Sequence, residues 1–453
     1  MGCLLNTVIV FLLVGLTNSS THTYKAGTVS SAQCSLDACA QLAQNAAKAN
    51  VDILVLPVPE DISRSVQKDN FDEAVKVISS LAKDNKIYIV SHFLEKVRCQ
   101  EKTEIIRNNL VFDRQGSVVY IYRKPLDLTA TCNVTATGTT FVTDFGVNFG
   151  VLMPEDLVLR NLQGKNFVVA GEWGSEIPAL AAPQFFKSWA FTTNANLVTS
   201  SGIFSGKAGG TGHGTDLVAA ELKKDGGDVI NAPIATTSPH VQDLSQYIIK
   251  PLDLAKQDVR ETVCHGQFCC HFQVKTSASG AQGLNFGLAA FEGLRHYGGG
   301  QNIGTQECAL LPCVGSLKSS CDIGSINNTN IIFDEISITA NFKPTESAQF
   351  PIILSTDTLS NSQFRFDSKH ENNTNQVTVK LYDGQNLFNF GILGRDFSKD
   401  YVEKTVIYDN NDGLTYKIYE YVNSDEVLEF CDYVWIRLRV LIFVVSIYVL
   451  EMM

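Results

Sequence analysis

Between residues 51 and 231, short blocks of consecutive apolar residues alternate with stretches whose apolar residues recur at helical spacing. Val51-Asp52-Ile53-Leu54-Val55-Leu56 is closed by Pro57, the pattern of a buried strand. Leu36, Cys39, Ala43 and Ala46 before it, and Phe71, Val75, Ile78 and Ala82 after it, share a helix face. Ile87-Tyr88-Ile89-Val90, Phe167-Val168-Val169-Ala170 and Leu197-Val198-Thr199 predict further strands, and residues 184–194 a helix. Leu110-Val111-Phe112 and Val118-Val119-Tyr120 flank Asp113-Arg114-Gln115-Gly116, a hairpin signal. This alternation predicts an α/β domain in which helices cover a sheet. From about Tyr247 the helical period fades and strands such as Ile331-Ile332-Phe333 and Val377-Thr378-Val379 dominate, predicting a mainly β second domain.

With 453 residues the chain has room for two or three domains of roughly 100–200 residues. A composition 45% hydrophobic and 18% charged excludes disorder as its main state. The net charge of −11, with no basic run, leaves no electrostatic footprint for nucleic acid. A mean hydropathy of +0.03 is too low for a multispanning membrane protein.

The apolar block from Val8 to Leu16, followed by Thr17-Asn18-Ser19-Ser20, suits a signal peptide over residues 1–20, although no Lys or Arg precedes it. Asn6 stands where an N-myristoylation motif requires Ser or Thr. Sequons at Asn133, Asn327 and Asn372 agree with export as a glycoprotein. Residues 440–450 are apolar except Ser446, and are fewer than the ~20 a membrane-spanning helix needs. They suit the removable tail of a GPI signal, with attachment near Asn423-Ser424-Asp425, or else a frayed C-terminal segment. Of 12 cysteines, Cys3 leaves with the leader, so an odd number remains and at least one thiol is unpaired or bridges to another chain. The clustering of Cys264, Cys269, Cys270, Cys308, Cys313 and Cys321 suits disulfides in an oxidising compartment.

Glu60 follows a buried strand in Pro57-Val58-Pro59-Glu60-Asp61, at the edge where α/β folds gather their sites, although taken alone it reads first as a solvated loop acid. Lys124 ends a strand in Ile121-Tyr122-Arg123-Lys124-Pro125, where a lysine can stabilise an oxyanion or serve as an ordinary surface charge. Gly206-Lys207-Ala208-Gly209-Gly210-Thr211-Gly212-His213-Gly214 lacks phosphate-loop spacing and predicts a flexible loop near a pocket mouth. Trp173 and Trp189 are read as core packing.

The segment Phe149-Gly150-Val151-Leu152-Met153-Pro154-Glu155-Asp156 joins these features into one pattern. With the strand before Glu60, the Leu81-Ala82-Lys83-Asp84-Asn85 helix end and the hairpin at 111–116, the chain resembles the vanin and biotinidase group of the nitrilase (carbon–nitrogen hydrolase) superfamily. Phe268-Cys269-Cys270-His271, Leu288-Ala289-Ala290-Phe291-Glu292-Gly293-Leu294 and Cys308-Ala309-Leu310-Leu311-Pro312-Cys313 carry the resemblance furthest. It implies an α-β-β-α sandwich over residues 21–245 and a β-rich, disulfide-containing vanin-type domain over 246–425, which leaves 426–453 for the GPI-signal or frayed tail. Disulfides rather than zinc are then expected at Cys269-Cys270-His271, with Cys34 and Cys39 structural and Cys132 paired with Cys99.

The family's amide hydrolysis uses a glutamate base, a lysine at the oxyanion and a cysteine nucleophile. Carried over, Glu60 is the base position, Lys124 the lysine and Pro154 the nucleophile position. Proline has no thiol or hydroxyl, so the resemblance implies a catalytically impaired member, extracellular or GPI-anchored, retained as a binding or interaction protein for which a small-molecule amide is a candidate ligand. An amidase using a displaced thiol, that of Cys132, is the alternative, and a structural role in a homo-oligomer is a third. Gln184 and Phe186 stand where vanins carry Glu and His, which leaves pantetheine-like and biocytin-like amides undivided. No cofactor, metal or nucleic-acid partner is expected.

Overall fold

In the computed structural model of the chain, residues 22–29, 35–56, 71–99, 102–125, 140–171, 182–212, 217–227, 244–277, 285–297, 301–313, 321, 331–355, 363–371 and 373–402 are described. The first half runs β1 (Thr23–Val29), α1 (Leu36–Lys48), β2 (Ile53–Val55), α2 (Phe71–Asn85), β3 (Tyr88–Cys99), β4 (Lys102–Phe112) and β5 (Val118–Pro125). It continues through β6 (Thr140–Val142), β7 (Asn148–Leu152), α3 (Asp156–Leu159), β8 (Asn166–Val169), α4 (Ala182–Thr193), β9 (Asn196–Thr199), β10 (Gly202–Ser205), β11 (Gly209–Gly212) and β12 (Leu217–Lys223).

These strands form two six-stranded sheets, ordered β12-β1-β2-β3-β4-β5 and β11-β10-β9-β8-β7-β6. The parallel pairs β1–β2, β2–β3, β7–β8 and β8–β9 form the middle of each, where blocks such as Ile53-Leu54-Val55 are buried on both faces. Between the sheets lie Val55, Val90, Val111, Phe149, Val151, Val168 and Val198. Polar pins cross the same interface: Tyr24 Oη donates to Asn166 Oδ1 at 2.9 Å, and Thr28 Oγ1 to Thr199 O at 2.6 Å.

The outer face of the first sheet carries α1 and α2. Cys39, Ala43 and Ala46 of α1, and Ala74, Ile78 and Ala82 of α2, are fully buried against Leu54, Ile89 and Phe112. Ser35 caps α1, its hydroxyl accepting from Ala38 N. The outer face of the second sheet carries α3 and α4, so the layers are helix, sheet, sheet, helix, as expected. The glycine-rich stretch departs from the expected loop: after a short 3₁₀ turn at Gly206–Ala208, β11 pairs antiparallel with β10. Absence of Cβ atoms at Gly209, Gly210 and Gly212 lets an apolar-poor segment end the sheet, and residues 213–216 lie outside the described set.

Among the described residues the elements of the second half are strands: β13 (Ile248–Pro251), β14 (Asp258–His265), β15 (Phe268–Thr276), β16 (Asn285–Tyr297), β17 (Gln301–Cys313), β18 (Phe333–Phe342), β19 (Ser347–Ser355), β20 (Phe364–Glu371), β21 (Thr374–Gly384) and β22 (Leu387–Val402). Two five-stranded sheets, β13-β16-β17-β22-β19 and β14-β15-β18-β21-β20, enclose a core of Phe272, Leu288, Leu310, Ile338, Val379 and Phe390. The cysteine cluster resolves into Cys264–Cys269 across the β14–β15 hairpin, Cys270–Cys308 between the two sheets, and Cys313–Cys321 beyond β17. Cys270–Cys308 closes a separation of 38 residues, a loop-entropy contribution of about 4 kcal/mol. Cys39 is also disulfide-bonded, whereas Cys34, Cys132 and the side chain of Cys99 lie outside the described set.

The two halves share a core. Phe185, Trp189 and Leu157 pack with Phe350, Ile352 and Leu393, and Ser188 Oγ donates to Pro351 O at 2.6 Å. Within this seam Tyr247 donates to the Glu307 carboxylate, and the Arg295 guanidinium lies 3.9 Å from the Phe291 ring centre. Burial pushes the Glu307 carboxyl up from 4.5 to about 7, against the opposing pull of Tyr247 and Arg295. The folded chain therefore holds a proton that the unfolded chain has lost, and this stabilisation, full below pH 4.5, disappears as pH rises through about 7. Denaturant titrations should show wild type losing stability relative to Glu307→Gln across that window; a pH-independent difference contradicts this.

Candidate functional site

The inner face of the first sheet grades from apolar to charged across β3, β4 and β5. Val90, Val111 and Tyr120 form one row in the core. Two residues along, about 7 Å further, the row is His92, Asn109 and Tyr122; the next is Leu94, Arg107 and Lys124. Arg123 points to the opposite face, where it binds Glu95 at 2.8 Å and Asn108 at 2.9 Å.

Facing the charged row is the turn that leaves β7. Asp156 N donates to Met153 O at 3.0 Å, which places Pro154 and Glu155 at its two central positions. Proline suits the first of these: its fixed φ matches the turn, whose closing bond does not use that residue's N–H. Pro154 is buried.

Lys124 Nζ lies 3.0 Å from Asp156 Oδ1 and 3.4 Å from Glu155 Oε1, while Arg107 reaches the same Glu155 oxygen at 2.5 Å. Asp156 is 1% exposed, and its other oxygen accepts from Met153 N at 2.9 Å. Burial acts to raise the Glu155 carboxyl, but Lys124 and Arg107 outweigh it and hold that group below its usual range. Burial, reinforced by the neighbouring Asp156 carboxylate, raises the Tyr122 phenol, which stays protonated. Two cations thus meet two carboxylates, and the lysine expected at an oxyanion is engaged by acidic side chains of the chain itself.

The structure brings Lys124 and Pro154 to one end of the two facing sheets. Glu60, the expected base, lies outside the described residues, as do Asn133, Asn327, Asn372, Trp173, the leader and the C-terminal tail. Trp189 is core, its ring 5.2 Å from that of Phe167. Phe186, read as a diverging pocket residue, is instead 1% exposed and packs on Phe204, because α4 turns that face onto the second sheet. Arg107, Glu155 and His92 did not emerge from the sequence. The signal that could have found them is strand register: extending the β3–β4 hairpin with period two sets His92 opposite Asn109. Among the described residues no group of three or more His, Cys, Asp or Glu could hold a metal.

The family described as the vanin C-terminal domain matches residues 237–400. Vanin-like protein 1 of Drosophila melanogaster is 25% identical over 437 residues, covering 76% of this chain and 76% of its own. The pantetheinase of Canis lupus familiaris is 24% identical over 377 residues, covering 71% and 70%. Among solved structures, an amidase from Nesterenkonia sp. aligns with a TM-score of 0.32 and 19% identity, covering 46% of this chain and 94% of that one. A member of branch 10 of the nitrilase superfamily from Saccharomyces cerevisiae gives 0.33 and 18%, covering 44% and 90%. A two-sheet sandwich flanked by helices is thus followed by a domain that matches the vanin C-terminal family over residues 237–400. Over most of its length the chain is similar to vanin-like proteins and pantetheinases.

Proposed function

We propose that this chain is an extracellular or GPI-anchored vanin-family protein that binds a linear amide, of pantetheine or biocytin type, without hydrolysing it at an appreciable rate. The observation that carries the reading is Pro154, a buried turn residue with no nucleophilic atom at the position where the family's thiol is expected. Two further facts support it. Every cysteine whose side chain is described is in a disulfide, so none of them offers a substitute thiolate. Lys124 is held by Asp156 and Glu155, which compete with any oxyanion for its charge. The sequons and the leader-like N-terminus support export. Among the described residues, no helix is long and apolar enough to cross a membrane.

Calorimetric titration with pantetheine and with biocytin, followed by recovery of the ligand, tests the proposal. Saturable binding of one of them with the amide recovered intact is expected. Absence of binding to both contradicts the ligand role. Release of the amine at a rate close to that of a pantetheinase assayed in parallel contradicts the impairment.

A further inference from the structure

His92 is held more exactingly than a histidine that merely fills space. The Asn109 side chain donates from Nδ2 to two carbonyls, Leu152 O at 2.7 Å and Ala170 O at 3.0 Å, at the ends of β7 and β8. Those two bonds fix the amide orientation and leave Oδ1 as an acceptor. His92 Nδ1 lies 2.7 Å from that oxygen, so Nδ1 carries the hydrogen and Nε2 keeps a bare lone pair.

A third element seats the ring. Gly171, at φ +114°, lies flat against the imidazole: a Cβ added there would come within 3.3 Å of Nδ1 and 3.4 Å of Cγ. Ser200 Oγ donates to Gly171 O at 2.6 Å and keeps that backbone in place. Four strands of both sheets, and the turn after a fifth, therefore fix the orientation of one half-buried imidazole whose Nε2 has no hydrogen bond among the described residues. It stands one row from Arg107 and Lys124, at the same end of the sandwich as Pro154.

We propose that His92, oriented by Asn109, is a general base that lets this end of the sandwich hydrolyse activated esters by direct attack of water, without a thiol and without a covalent intermediate. Nε2 takes a proton from a water molecule as its oxygen bonds to the ester carbonyl carbon. The imidazolium then returns that proton to the departing aryloxide oxygen as the C–O bond breaks, leaving acid, phenol and neutral imidazole. An aryl leaving group makes the step feasible for a base of this strength, where an unactivated amide requires the missing nucleophile. The activity goes beyond the binding role proposed above and does not depend on it, since amide binding and ester hydrolysis are read in separate assays.

The charged groups facing His92 are Arg107 of β4 and Glu155 of the turn after β7. Burial, with a smaller push from Arg107, lowers the imidazole below 6.5, while the Asn109 bond and Glu155 oppose it. The base form is therefore present throughout the neutral range.

The test follows hydrolysis of 4-nitrophenyl acetate by the full chain from about pH 5 to about pH 8. The rate is expected to rise with pH with its midpoint below the 6.5 of an ordinary imidazole, to be unchanged after iodoacetamide treatment, and to fall on the order of 10²-fold in His92→Gln. A rate no higher than buffer, a rate abolished by iodoacetamide, or an unaltered rate in folded His92→Gln overturns the proposal. Should that variant not fold, imidazole ¹⁵N spectra of the wild-type chain decide. A protonated Nδ1 with unprotonated Nε2 at neutral pH supports the assignment, and the opposite tautomer overturns it.

Discussion

Hydrolysis of a linear amide by this chain is expected to run about 10⁶-fold below that of a cysteine-bearing relative assayed beside it, the scale seen when an enzyme loses its nucleophile. A thioacyl intermediate needs a sulfur at the carbonyl carbon, and the side chain of residue 154 is a saturated ring closed on its own backbone nitrogen. Lys124 cannot compensate, because its ammonium stabilises charge that only an attacking group can generate. Pro154→Cys places a thiol at the first central position of a turn whose closing bond, Asp156 N to Met153 O, does not use residue 154. That variant is expected to gain a thiol that iodoacetamide alkylates and that takes up an acyl group from an activated amide. Its thiol staying inert to both reagents in a folded protein would show that position 154 does not face the pocket.

The second large effect concerns the join between the two halves. Arg395, 0% exposed in β22, donates through Nε to Val158 O of α3 at 2.9 Å, through one terminal nitrogen to Gly304 O, and through the other to Asp400 Oδ2 at 2.5 Å. One guanidinium thus caps the short helix that presents Asp156 to Lys124, and ties it to the strands that follow. Replacing Arg395 with methionine keeps much of the volume but takes the counter-charge from the Asp400 carboxylate, which keeps only the Gly304 N–H, and a donor from two carbonyl oxygens. The expected cost is about 3–5 kcal/mol, the range for removing one partner of a buried ion pair. Denaturant unfolding measures it directly, and a loss below about 1 kcal/mol, the level of a surface pair, would refute the role given to Arg395.

The legible parts of this fold are those where burial is complete on one face or both. Ile53-Leu54-Val55, the helical rows of α1 and α2, and the turn at 113–116 follow directly from apolar period and turn chemistry. The illegible parts are strands whose polar residues are partnered inside the protein. β3 reads as ending at Val90, yet it continues to Cys99, because the polar residues His92 and Glu95 find Asn109, Asn108 and Arg123 across the sheet. A hydropathy pattern records such residues as solvent-facing, and only the register of the β3–β4 hairpin reveals that they are satisfied by one another.

The same reason hid half of the site. Lys124 and Pro154 were visible because each lies in a short segment of known family pattern. Arg107 and Glu155 were not, since their significance lies in a contact between β4 and the turn after β7, far apart in sequence. Disulfide partners were equally out of reach: six clustered cysteines allow fifteen pairings. The sheet order selects one by placing Cys270 of β15 across the core from Cys308 of β17.

Intact mass spectrometry of the unmodified protein after incubation with pantetheine, and with a chemically activated amide, probes the reading of residue 154 most directly. An unchanged polypeptide mass with both reagents is the predicted result. A species heavier by the acyl group, mapped to any residue of the pocket, would contradict it.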